Sequence, residues 1–94
     1  MDNLIPDPRD LPSYGQENLN VLLEKHAMFL EGRIGGARAV VKYQNLSGLN
    51  FHNRDLSKAD FTGSILDNAD LSNGIYNSVV FFGCSFKNAD LSDA

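Results

Sequence analysis

The sequence predicts a short, otherwise all-β solenoid led by one α-helix, and three observations predict it. Large apolar residues fall on every fifth position without a break: Leu46, Phe51, Leu56, Phe61, Leu66, Leu71, Tyr76, Phe81, Phe86 and Leu91, with Val41 one step earlier. Two positions before each of them runs a second, mostly small series: Ala39, Gln44, Leu49, Arg54, Ala59, Ser64, Ala69, Gly74, Val79, Cys84, Ala89 and Ala94. Upstream, Leu19, Leu22, Leu23, His26, Ala27 and Leu30 follow the spacing of one helical face.

A period of five fits neither the 3.6-residue turn of a helix nor the two-residue alternation of a strand. It does fit a chain that turns a corner every five residues and places one bulky and one small side chain inside at each step. The positions between are mostly Asn, Asp, Ser, Gly, Thr and Lys, as an outer surface requires. The clearest copies are Lys58-Ala59-Asp60-Phe61-Thr62, Asn68-Ala69-Asp70-Leu71-Ser72 and Asn88-Ala89-Asp90-Leu91-Ser92.

Over residues 39–94 these copies resemble the pentapeptide-repeat family, whose signature is a tandem Ala-(Asp/Asn)-Leu-X-X. The resemblance implies a right-handed, quadrilateral β-helix with four pentapeptides per coil, hence under three coils here. Residue i then lies over residue i+20. The inward columns become Val41/Phe61/Phe81, Leu46/Leu66/Phe86, Phe51/Leu71/Leu91 and Leu56/Tyr76, all large and apolar. Arg54 departs from the pattern, since a guanidinium does not fit the small inward slot. Its stacked neighbour Gly74 has no side chain, which would give Arg54 room to bend outward. Arg54 is then either a tolerated irregularity or a contact for an anionic partner.

Three segments follow. Residues 1–15 form an extended, Pro-rich tail with Pro6, Pro8, Pro12 and Gly15, in which Leu4, Ile5, Leu11 and Tyr14 are available to pack on the domain or on another protein. Residues 16–36 form a helix and a Gly linker, and 37–94 the solenoid. Ser13 followed by Gln16 suggests a capping box, with Asn18 an alternative N-cap, and Gly32 supplies a stop. The stretch from Leu23 to Gly32, with Gly35-Gly36-Ala37-Arg38-Ala39, resembles a leader that precedes the solenoid in many bacterial members of that family. An amphipathic helix there either covers the open end of the tube or docks a partner.

Composition narrows the function. The 94 residues carry a net charge of −4, divided evenly between the two halves, with no basic run, so direct nucleic-acid binding is not expected. No apolar run approaches the roughly 20 residues that cross a bilayer, and an acidic, Pro-rich start does not suit a signal peptide. A single cysteine, Cys84, excludes an internal disulfide and suits a reducing compartment, so the expected location is the cytoplasm.

No assembled chemistry stands out. His26, His52 and Cys84 lack metal-ligand spacing; His26 reads as packed, His52 as solvated, and Cys84 as a small core residue. Asp55, Asp60, Asp70 and Asp90 all precede a central residue and belong to the repeat. No catalytic residue, cofactor or metal is expected, and an enzyme is not.

The outward positions Ile65, Ile75, Val80 and Phe82 are apolar where polar residues are expected. With Arg54 they form the candidate interface, unless the N-terminal tail covers them. The sequence also stops at Ala94 in repeat register, which leaves the last coil to be covered by end-to-end dimerisation, by a larger partner or by further chain. A protein-binding or assembly module, self-associating or docked on a larger complex, is the expected function. The family resemblance offers a second reading, a DNA mimic that regulates a type II topoisomerase (gyrase). Under three coils span only about 14 Å, against about 34 Å for one DNA turn, and residues 39–94 carry only −2.

Overall fold

In the computed structural model, which describes residues 11–94, the five-residue period becomes a stack of coils. Parallel bridges join Val40 to Asp60, Asn45 to Ile65, Asn50 to Asp70 and Asp55 to Ile75, and then Asp60 to Val80, Ile65 to Ser85 and Asp70 to Asp90. Each pair is 20 residues apart, so four pentapeptides complete one circuit.

The ladder repeats with every pentapeptide. Val41 N–H donates to Asp60 O (2.8 Å), Asp60 N–H to Ala39 O (3.0 Å) and Tyr43 N–H to Thr62 O (3.0 Å), and the later steps follow the same rule. Corners close through bonds such as Ala59 N–H to Leu56 O (2.9 Å). The third residue of each corner has positive φ: Tyr43, Gly48, Asn53, Lys58, Gly63, Asn68, Asn73, Ser78, Gly83, Asn88 and Asp93. Gly and Asn dominate that position because they tolerate the left-handed region best. A corner every five residues also explains why the described residues form isolated bridges and no continuous strand.

Aspartate before the central residue serves these corners. Asp60, Asp70 and Asp90 each accept the N–H and the hydroxyl of Thr62, Ser72 and Ser92, with hydroxyl bonds of 2.6 Å. Those bonds favour the charged form and hold the three carboxyls below the usual value.

The core runs along the axis. Val41, Leu46, Phe51, Leu56, Phe61, Leu66 and Leu71 are buried, with Ala39, Ala59 and Ala69 in the small slots. The rings of Phe61 and Phe81 stack between coils at 5.9 Å and 12°. Three of the expected core residues, Tyr76, Phe81 and Phe86, are only half-buried, and Leu91 is exposed. They belong to the last coil, which has a neighbour on one side only among the described residues.

Helix α1 spans Gln16–Leu30 and buries Leu19, Leu23 and His26 against the first coil, while Ala27 faces outward. Leu19 and Leu23 join the same apolar cluster as Val41, Leu46 and Phe51. Gly32 ends the helix as expected, with Gly32 N–H bonded to Phe29 O and Arg33 N–H to Met28 O in the Schellman pattern. The N-terminus differs from the expected capping box. Gly15 is the N-cap and no side chain caps it, because Ser13 and Gln16 are engaged with the solenoid instead.

Those engagements cover the first coil face by face. Ser13 pairs with Asn45 in a parallel bridge, through Asn45 N–H to Pro12 O (2.8 Å) and Tyr14 N–H to Asn45 O (3.0 Å). At the next face the Gln16 amide replaces a strand, accepting from Asn50 N–H (2.8 Å) and donating to Asn50 O (2.9 Å). At another corner, Ala39 N–H donates to Nδ1 of His26, so Nε2 carries the ring hydrogen and donates to Ser57 O, both at 2.9 Å. Arg38 Nη1 donates to Lys58 O (2.9 Å). An open solenoid end exposes unpaired backbone groups, and at this end they meet the bridged backbone around Ser13, an amide, an imidazole and a guanidinium. Leu4, Ile5, Pro6 and Pro8 lie outside the described residues.

Candidate functional site

The outward apolar positions divide once they are placed on the coils. Phe82 is 79% exposed, Ile75 50% and Val80 40%. Ile65 corrects the sequence expectation, for it is only 8% exposed. It stands in the middle of the stack, bridged to Asn45 on one side and to Ser85 on the other, whereas Ile75 and Val80 are bridged on one side only.

Bridges put Val40, Asp60 and Val80 in one column, and the bonds Tyr43 N–H to Thr62 O and Gly63 N–H to Phe82 O align the neighbouring positions. One face therefore presents Val40 and Tyr43 above and Val80 and Phe82 below, all exposed, with Ile75 on the adjoining face. Between them the Lys42 ammonium pairs with Asp60 at 3.6 Å. Sequence reasoning missed Val40 and Tyr43. Their signal was present, since Val40 precedes a central residue where Asp or Asn is usual, and Tyr43 takes a corner position where the next two coils have Gly63 and Gly83. The Tyr43 ring lies against Gly63, in space a Cβ there would fill.

Arg54 reaches the surface as expected, but not through the space beside Gly74. The space beside Gly74 is filled by the end of the Tyr76 side chain, whose hydroxyl donates to Leu71 O. Arg54 instead lines a surface cleft with Gln16, Asn20, Asn50 and His52.

The remaining titratable and nucleophilic candidates serve structure. Ser64 Oγ donates to Val41 O (2.9 Å), and one coil later Cys84 Sγ makes the equivalent bond to Phe61 O (2.9 Å). Burial pushes the Cys84 thiol up, away from the thiolate that reactivity requires. His26 is fully buried between Ala39 and Ser57. His52 is exposed, but its Nδ1 meets Ser72 Oγ at 2.8 Å. Among the described residues no helix is long and apolar enough to cross a membrane.

Comparison with known proteins agrees with the coil geometry. The model of the family "Pentapeptide repeats" matches residues 37–74 in eight copies. No curated protein and no solved structure matches the chain. The bridges continue the same 20-residue register beyond the matched region to Asp90. Matched repeats and stacked coils coincide, and residues 37–74 of the chain are pentapeptide repeats.

Proposed function

We propose that this chain is a non-enzymatic protein-binding module of the cytoplasm, built on a right-handed solenoid of under three coils, and that it engages its partner through Phe82, Val80 and Ile75. The observation that carries this reading is the exposure of Phe82, at 79%, beside two further exposed β-branched residues. A large apolar side chain held in water on a rigid scaffold gains free energy when a partner covers it. Val40 and Tyr43 extend the same face, and Lys42 and Asp60 provide polar contacts within it. The first occupant to test is a second copy of this chain.

Phe82→Asp and Ile75→Asp test the reading. Both positions face outward, so each variant should keep the circular dichroism of the parent while losing self-association in light scattering across a concentration series. Capture of other proteins by immobilised protein should fall in parallel. Full association and full partner capture by both variants would remove this face as the interface. The topoisomerase reading is weaker, because under three coils span only about 14 Å against about 34 Å for one DNA turn, and residues 39–94 carry a net charge of only −2. Added protein is expected to leave gyrase supercoiling unchanged.

A further inference from the structure

We infer that the cleft between the start of α1 and the Asn50–Arg54 corner is a binding site for a small oxyanion, a carboxylate or a phosphate group. It has a volume of about 300 Å³ and is lined by Gln16, Asn20, Asn50, His52 and Arg54. Its chemistry follows from which hydrogen-bonding groups are already engaged. The Gln16 oxygen accepts from Asn50 N–H (2.8 Å), the Asn20 oxygen from the Gln16 amide (3.0 Å), and the Asn50 oxygen from His52 N–H (2.8 Å). Gln16 Nε2 is also engaged, with Asn50 O. All three amide oxygens thus have donors, while the NH₂ groups of Asn20 and Asn50 have no partner among the described residues. Nor has the Arg54 guanidinium, which makes neither a side-chain hydrogen bond nor an ion pair there.

His52, as a neutral ring, presents an acceptor and not a donor at Nε2. Ser72 gives its hydroxyl hydrogen to Asp70 (2.6 Å), so the bond between His52 Nδ1 and Ser72 Oγ (2.8 Å) is donated by the ring, and only Nε2 lacks a partner. No carboxylate lines the cleft among the described residues; Asp70 stands behind Ser72 and is engaged by it. What remains in the lining is a guanidinium with its planar fork and two amide NH₂ groups. That set of donors matches two oxygens of one anionic group. The helix and the coil hold the cleft in shape through the paired Gln16–Asn50 bonds, so the donors are placed before any ligand arrives. The site does not depend on the apolar face, of which Ile75 comes next to it, its N–H donating to Arg54 O (3.0 Å).

The test is a titration of uniformly ¹⁵N-labelled protein with inorganic phosphate and, separately, with acetate, at constant ionic strength. The side-chain signals of Asn20, Asn50 and Arg54 report binding. A saturable shift of those signals is expected with at least one of the two anions. The anion that saturates at lower concentration identifies the group, phosphoryl or carboxylate. Arg54→Gln should weaken binding about tenfold or more, as loss of a charge-assisted bidentate pair requires. Asn20→Asp should abolish it, since it keeps an oxygen for Gln16 while replacing a donor with a negative charge. Shifts that never saturate with either anion, or variants that titrate like the parent, would overturn the assignment.

Discussion

The Tyr76 side chain ends in the space that Gly74 leaves empty, with its hydroxyl bonded to Leu71 O in the neighbouring pentapeptide. Tyrosine is longer than the Leu or Phe usual at the central position, and the missing side chain two residues earlier makes room for it. The pair acts as one packing unit. Gly74→Ala should therefore destabilise by about 1–3 kcal/mol, the usual cost of overpacking. Gly74→Ala combined with Tyr76→Leu should recover most of that loss, because the double substitution restores the common small-and-large pair. Urea denaturation of the parent, the two single variants and the double variant measures the coupling. Additive losses would mean that the two side chains do not share the slot.

The same ring sets a pH dependence. Desolvation, with a smaller contribution from nearby Asp70, pushes the Tyr76 phenol from 10.0 up to about 12. As pH rises past about 10, the unfolded chain loses this proton before the folded one does. Folding stability should then fall between about pH 10 and pH 12 and stop changing from this group above that. The half-buried ring is partly screened, so the slope should be well below the limit of about 1.4 kcal/mol per pH unit. Denaturation midpoints of parent and Tyr76→Phe across this range test it, and the parent should lose stability more steeply.

Much of this fold is legible in the sequence, because a five-residue period with an inward residue at fixed phase leaves few alternatives. The stacking of i on i+20, the buried column from Val41 to Leu71 and the helical stop at Gly32 all follow from pattern. The cap did not follow, because Ser13-Pro-free spacing to Gln16 reads as a local capping box while both residues are engaged by chain about thirty positions away. Ile65 and Ile75 are equally apolar and share the position just before a central residue, and the coils on both sides of Ile65, against one beside Ile75, separate the buried one from the exposed one. The cleft at Arg54 was likewise hidden, since its donors come from helix and coil together.

His26 is expected to be the most sensitive position of the cap. Its two ring nitrogens satisfy Ala39 N–H and Ser57 O, both in buried residues. His26→Leu fills a similar volume but leaves a donor and an acceptor without partners. Each unsatisfied group costs about 1–3 kcal/mol, so the variant should lose at least about 2 kcal/mol in urea denaturation. Hydrogen exchange should quicken at Ala39 while amides such as Leu71 N–H keep their protection. A variant as stable as the parent would mean that the helix covers the coil through Leu19 and Leu23 alone.

The corners make the last prediction. Ser78 holds φ at 59° where most equivalent corners have Gly or Asn, and it is exposed. A non-glycine residue in this region costs about 1–2 kcal/mol, and glycine gives back about 0.5–1 kcal/mol of that through its greater freedom in the unfolded chain. Ser78→Gly should therefore raise stability by about 0.5–1 kcal/mol. Its hydroxyl makes no hydrogen bond among the described residues, so little is lost in exchange. Gly63→Ser, at a corner with φ of 73°, should do the reverse and lose more, because its Cβ would also enter the space of the Tyr43 ring. Denaturation midpoints of the two variants should move in opposite directions; a shift in the same direction would show that backbone strain at the corners does not govern stability.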